Sequence, residues 1–101
     1  MVETLKQEAV RLLVDVPEEN VFWVNDGHVL HNLKDLDAEL KGMSDDTYFY
    51  HANAQKNDFA NWVRDIIRDD KLARELLSAV TRVQAARAVS SRTGLLFRRL
   101  V

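Results

Sequence analysis

NDFANWVRDII, residues 57–67, decides how this chain is read. Phe59, Trp62, Val63, Ile66 and Ile67 fall at i, i+3, i+4, i+7 and i+8, which sets five large apolar side chains along one helix face. Asn57 and Asp58 stand just ahead of that face, where a short polar side chain caps the free backbone N–H groups of a helix start. A helix with a full core-facing stripe needs other helices to bury it, so the chain is predicted to be mainly α.

Downstream, Asp69-Asp70 caps a longer predicted helix from about Lys71. Leu72, Leu76, Leu77, Val80 and Val83 are its expected buried stripe, and Ala85, Ala86 and Ala88 favour its continuation to about Val89. Ser90-Ser91 and Thr93-Gly94 then interrupt the pattern, leaving residues 95–101 as an apolar, basic tail. Upstream, Asn32 and Ser44 are caps for helices beginning at 33 and 45, with Leu33, Leu36 and Leu40 lining the first and Gly42 placed to end it. The run from Thr47 to His51 is read as helical because Ser44 and two acids precede it. At the N-terminus, Thr4 and Gln7 have capping-box spacing. Leu5, Ala9, Leu12, Leu13 and Val16 form the stripe that Pro17 closes.

Between the first two helices lies the β-prone run from Val21 to Val24, then Asn25-Asp26-Gly27, the strongest turn signal in the chain. The return strand is His28 to His31. An isolated two-stranded hairpin is marginal in water, so this one must lie on helices. The predicted fold is therefore mainly α (α+β): four to five helices around one core, with a small β-hairpin near residues 21–31. A chain of 101 residues is one domain, here a core over 3–89 and a tail over 90–101.

Composition narrows the function classes. The chain has no cysteine, which removes disulfides, thiolate zinc sites and cysteine nucleophiles together and fits a cytoplasmic protein. No apolar run is long enough to span a bilayer, and residues 1–13 are too interrupted by charge for a signal peptide. The net charge of −2 conceals a division. Residues 1–70 hold 15 acids and 7 bases, whereas residues 71–101 hold 7 bases and only Glu75 as acid. Such asymmetry points to an anionic partner or to self-complementarity.

Several residues in the middle of the chain form a recognisable set. They are Phe22, Asp26-Gly27, Leu30, Asn32-Leu33, Leu36, Leu40, Asp46, Phe49-Tyr50-His51, the run from Asn57 to Val63, Asp65, Asp69 and Leu72-Ala73. Over roughly residues 21–77 the chain resembles a small prokaryotic domain of unknown function, found in archaea and bacteria alone and beside other domains. The resemblance implies no activity, because that family has none established. The basic C-terminal segment lies outside it.

Five groups are candidates for chemistry or contact. His28, His31 and His51 with Asp26 are possible zinc ligands, but residues three apart on a strand face opposite sides, and no helical His pair accompanies them. His51 beside Asn53, Asn57 and Asp58 is a conceivable general base, with Ser44 or Thr47 as imagined nucleophiles, yet no nucleophile elbow or oxyanion glycine supports it. The aromatic set is expected to be mostly core, with Trp23, Tyr48 and Tyr50 its exposed members. Arg74, Arg82, Arg87, Arg92, Arg98 and Arg99, with Lys71, suit phosphate or carboxylate forks, on nucleic acid or on the chain's own acidic half. Finally, the tail Leu95–Val101 is too apolar to leave in water and is expected to dock as a strand on the hairpin, lie in a groove of another subunit or meet a membrane surface with Arg98 and Arg99, docking within a homo-oligomer being the most economical.

The expectation is a non-enzymatic protein-interaction or regulatory module that forms a homo-oligomer through its last helix and tail, or binds another protein. Its interaction residues are Trp23, Tyr48, Tyr50, Arg82, Arg87, Arg92, Leu95, Leu96, Phe97, Arg98 and Arg99. No catalytic residue, metal ligand or cofactor is assigned. The alternatives are a nucleic-acid binder using the basic C-terminal helix and an enzyme centred on His51.

Overall fold

Each predicted N-terminal cap is made in the computed structural model, which describes residues 2–101. The Thr4 hydroxyl accepts the Gln7 N–H at 3.0 Å and Gln7 Oε1 accepts the Thr4 N–H at 2.8 Å, opening α1 (Leu5–Leu13). Asn32 caps α2 (Leu33–Gly42), Ser44 caps α3 (Asp45–His51) and Asn57 caps α4 (Asp58–Trp62). A π-helical turn (Val63–Ile67) continues α4. It ends at Arg68 in the left-handed region (φ 70°), where the N–H groups of Arg68 and Asp69 both donate to the Val63 carbonyl. Asp69 then caps α5 (Asp70–Ser78).

The hairpin is shorter than predicted. β1 (Phe22–Trp23) and β2 (Val29–Leu30) pair antiparallel in the register Phe22–Leu30 and Trp23–Val29. Gly27 takes φ 96°, a conformation that Cβ disfavours, to bring the turn round. The extended chain after α1 runs beside β2, with the Val16 N–H donating to the His31 carbonyl at 2.8 Å. Phe22 faces inward, stacked on Phe59 and edge-on to Trp62. Trp62 in turn donates its ring N–H to the Asn20 carbonyl at 2.8 Å. Helices thus supply the second layer that a two-stranded hairpin lacks.

The C-terminal third differs most from expectation. The described residues contain six helices, because the helix predicted over 71–89 divides at Ala79 and resumes as α6 (Arg82–Arg98). Thr81 causes the restart: its hydroxyl accepts the Gln84 N–H, and Gln84 Oε1 accepts the N–H of Val80. Ser90 to Gly94 do not break α6. Ala85, Val89, Thr93 and Leu96 are buried at helical spacing along α2 and its neighbours. Burying Val89 and Leu96 stabilises by about 1.5–3 kcal/mol each, which exceeds the roughly 1 kcal/mol that Gly94 costs inside a helix. The supposed tail therefore adds Thr93 and Leu96 to the core, and the boundary drawn at residue 90 falls inside a helix.

The dividing of the helix also releases part of its stripe. Leu77, Val80 and Val83 are exposed rather than buried, as is Leu5 on α1. One continuous buried cluster draws on every helix and on Val24 and Leu30 of the hairpin.

Arg92, expected among the interaction residues, points inward instead. It is 8 % exposed and faces Asp69, 2 % exposed, through two hydrogen bonds: Nε to Oδ2 at 2.8 Å and Nη2 to Oδ1 at 3.2 Å. Removing one partner of such a buried pair strands the other charge, so Arg92→Ala is expected to lose about 3–5 kcal/mol in urea unfolding. A loss below about 1 kcal/mol would show that the pair does not hold α6 to α5.

Candidate functional site

The basic C-terminus divides into bonded and free arginines. Arg82, first in α6, donates Nε to Asp45 at 2.9 Å and Nη1 to the Leu40 carbonyl at 2.9 Å, closing the end of α2. Arg99 reaches Glu8 of α1 at 2.8 Å. With Arg92 on Asp69, three arginines are engaged by acids of the first seventy residues. Among the described residues, Arg74, Arg87, Arg98 and Lys71 make no ion pair within 4.0 Å, and all four are exposed.

The aromatic residues also redistribute. Trp23 and Tyr50 are exposed as expected, but Tyr48 is 2 % exposed, stacked on Phe59, and burial pushes its phenol above the usual range. Phe49, its neighbour, faces outward instead. Seven residues of α3 make about two turns, and at 3.6 residues per turn only Tyr48 and His51 share the inner face. In the former tail, Leu96 is buried, Leu95 half-buried and Phe97 exposed.

His51 is walled in. Phe22, Tyr50 and Phe59 lie within 5.2 Å of its ring centre. Its Nε2 accepts the Asn25 N–H at 2.9 Å, so Nδ1 carries the proton and donates to Asp58 Oδ2 at 3.0 Å. Both ring nitrogens are occupied by the fold, and the ring ties the hairpin turn to α3 and α4. Neither Ser44 nor Thr47 appears among its partners: their hydroxyls bond each other at 3.1 Å.

Two features escaped the sequence. The first is a groove of about 600 Å³ between the end of α3, the 52–57 loop and the α5–α6 junction. Phe49, Ala52, Leu77, Ala79 and Val80 form its apolar wall. Its rim is Asn53, Gln55 and Asn57, with Lys56 its sole charged residue. The Thr81–Gln84 spacing was the available signal, because a helix start there turns Leu77 and Val80 away from the core.

The second is the place of Glu39, which joins Asp26 and His28 of the sequence's candidate zinc ligands in a cluster whose donor atoms lie within 4.8 Å of one another, while His31 and His51 lie outside it. His28 Nδ1 is 2.7 Å from Glu39 Oε1 and 3.2 Å from Asp26 Oδ2. Burial pushes the Glu39 carboxyl above the usual range, and the Asp26 carboxyl beside it pushes the same way. That same contact with Glu39 holds Asp26 below its usual value, and the two carboxylates, Glu39 first, raise His28.

No protein-family model, curated protein or solved structure matches this chain. No helix among the described residues is long and apolar enough to cross a membrane.

The His51–Asp58 contact has a pH signature. Burial pushes Asp58 upward, but hydrogen bonds from His51 and Lys56 outweigh it and leave its carboxyl below the usual range. A carboxyl lowered by folding stabilises above its unfolded value of about 3.9, and that stabilisation is lost as pH falls through the folded value. Asp58→Asn is thus expected to be less stable by about 1 kcal/mol at neutral pH. The gap should narrow in urea melts below about pH 3. A gap that widens on acidification would contradict the assignment.

Proposed function

We propose that this chain is a non-enzymatic protein-interaction or regulatory module that forms homo-oligomers through the groove at the start of its C-terminal helix. The carrying observation is the apolar surface of Phe49, Leu77 and Val80 along the groove, with Val80 74 % exposed and Leu77 56 %. Large apolar side chains gathered at one groove mark an interaction surface. A second copy suits this one. A two-fold interface is isologous, so one patch must offer both the projecting side chain and the hollow that receives it. Val80 projects, and the groove beside it is a hollow of apolar lining. With Lys56 as the only charge on the lining, two copies meet without the like-charge cost that the acidic body would impose elsewhere.

The tail contributes less than its sequence suggests, since Leu96 packs inward. Deleting residues 90–101 would remove Arg92 and Leu96 from the core. Surface substitutions are therefore the right test. Leu77→Asp with Val80→Asp is expected to leave far-UV circular dichroism unchanged. It should raise the self-dissociation constant about thirtyfold or more, the equivalent of losing about 2 kcal/mol. Light scattering behind size exclusion over a concentration series reads this directly. A parent chain that stays monomeric at the highest concentration would overturn the proposal. Salt-sensitive nucleic-acid binding by that monomer, lost on Arg87→Gln with Arg98→Gln, would favour the basic-helix alternative.

A further inference from the structure

The structure assigns a divalent transition-metal site to Asp26, His28 and Glu39. Two elements of the fold bring these side chains together. The Asp26-Gly27-His28 turn of the hairpin carries two of them, and Gly27 at φ 96° lets both side chains return to one point. Asp26 is held in place by its own turn, because its Oδ1 accepts the His28 N–H at 2.9 Å and leaves Oδ2 facing the imidazole. Glu39 comes from α2, one turn before its end.

The distances suit a metal ion. Bonds of about 2.0–2.2 Å in tetrahedral or octahedral geometry separate neighbouring donors by about 3–3.5 Å. His28 Nδ1 already stands 3.2 Å from Asp26 Oδ2 and 2.7 Å from Glu39 Oε1. The last pair must open by a few tenths of an ångström, which the 70 % exposed His28 side chain can do.

Glu39 supplies the independent observation. It is 8 % exposed, and its Oε2 is buried with no hydrogen-bond donor. A buried carboxylate oxygen without a partner carries a large desolvation penalty. No lysine or arginine lies within 4.0 Å of Glu39 or Asp26 among the described residues. A dication would balance the two carboxylates and leave His28 neutral, the form in which Nδ1 has a free lone pair.

One imidazole nitrogen with two carboxylate oxygens is a borderline donor set, matched to Zn²⁺, Mn²⁺ or Fe²⁺ rather than to Ca²⁺ or to a thiophilic ion. Three protein donors also leave positions open for water or an anionic ligand. A cavity of about 430 Å³ lined by His28, Leu30, Asp35, Ala38 and Glu39 adjoins them.

Zn²⁺ titrated into the full chain by calorimetry tests the site, with Co²⁺ absorption reporting the donor set. One saturable site per chain is expected. His28→Asn and Glu39→Gln should each weaken it by more than about tenfold, since even residues that only hydrogen-bond to a metal's ligands are worth about 10–100-fold. His28 is exposed, so its replacement keeps the fold, and circular dichroism checks the Glu39 variant. His31→Asn is the control: His31 bonds Asp35 outside the cluster and its loss should change nothing. Absence of saturable Zn²⁺ binding would overturn the assignment, as would binding that survives His28→Asn or that disappears in His31→Asn.

Discussion

The Asp69–Arg92 pair is the contact on which the arrangement of the last two helices depends. Asp69 uses Oδ1 to cap the Leu72 N–H and shares the same carboxylate with Arg92. One side chain thereby fixes where α5 starts and where α6 passes it. Its position is set in turn by the π-helical turn before it. That turn inserts one more residue per hydrogen-bonded ring than an α-helix does, and it ends in the left-handed Arg68. Without that reversal Asp69 would continue along the previous helix. A buried ion pair of this kind gives little net stability over apolar residues, but it penalises every arrangement that separates the two charges. Its contribution is to the choice of packing.

The same logic resolves the charge division of the chain. An acidic first part and a basic last part need not imply an external anion when helix packing brings them together. Arg82 on Asp45, Arg92 on Asp69 and Arg99 on Glu8 lie at the start, the middle and just past the end of α6. The exposed pairs are worth little each. Together they align α6, which carries no acid of its own, with elements far away in sequence.

Helix caps and the Phe59–Ile67 face were legible because they depend on neighbours three or four residues apart. Thr4, Asn32, Ser44, Asn57 and Asp69 all cap as read. The hairpin turn was legible for the same reason. The inward turn of Arg92 was not, because its partner is 23 residues away and an arginine on a helix ordinarily faces water. Leu77, Val80 and Val83 were misplaced by treating residues 71–89 as one helix. The correction was present in the sequence, since Thr81 and Gln84 repeat the spacing of Thr4 and Gln7. Ser90, Ser91 and Gly94 illustrate the opposite error: local propensity argued for a break, and tertiary burial of Val89, Thr93 and Leu96 overrode it.

The hairpin joins the apolar groove and the Asp26–His28–Glu39 cluster into one structure. His51 accepts the Asn25 N–H and packs on Phe22, so α3 holds the hairpin from its turn as well as from its strand. Asp26 and His28 follow directly on that clamped residue, and their approach to Glu39 is consequently set by the aromatic core. On the other side of α3, Phe49 lines the groove. α3 thus lies between the two: Tyr48 and His51 hold it in the core, His51 reaches the hairpin turn, and Phe49 is presented outward to the groove. A cation that stiffens the Asp26–His28 turn would stiffen the strand on which Phe22 sits. Through Phe22, His51 and Phe59 it would restrain α3, and with α3 one wall of the groove. Phe22 stacks on Phe59 and meets His51 edge-on, and His51 meets Phe59 at a tilt, all at 5.1–5.2 Å between ring centres, so these close-packed rings leave little room for one element to shift without the others.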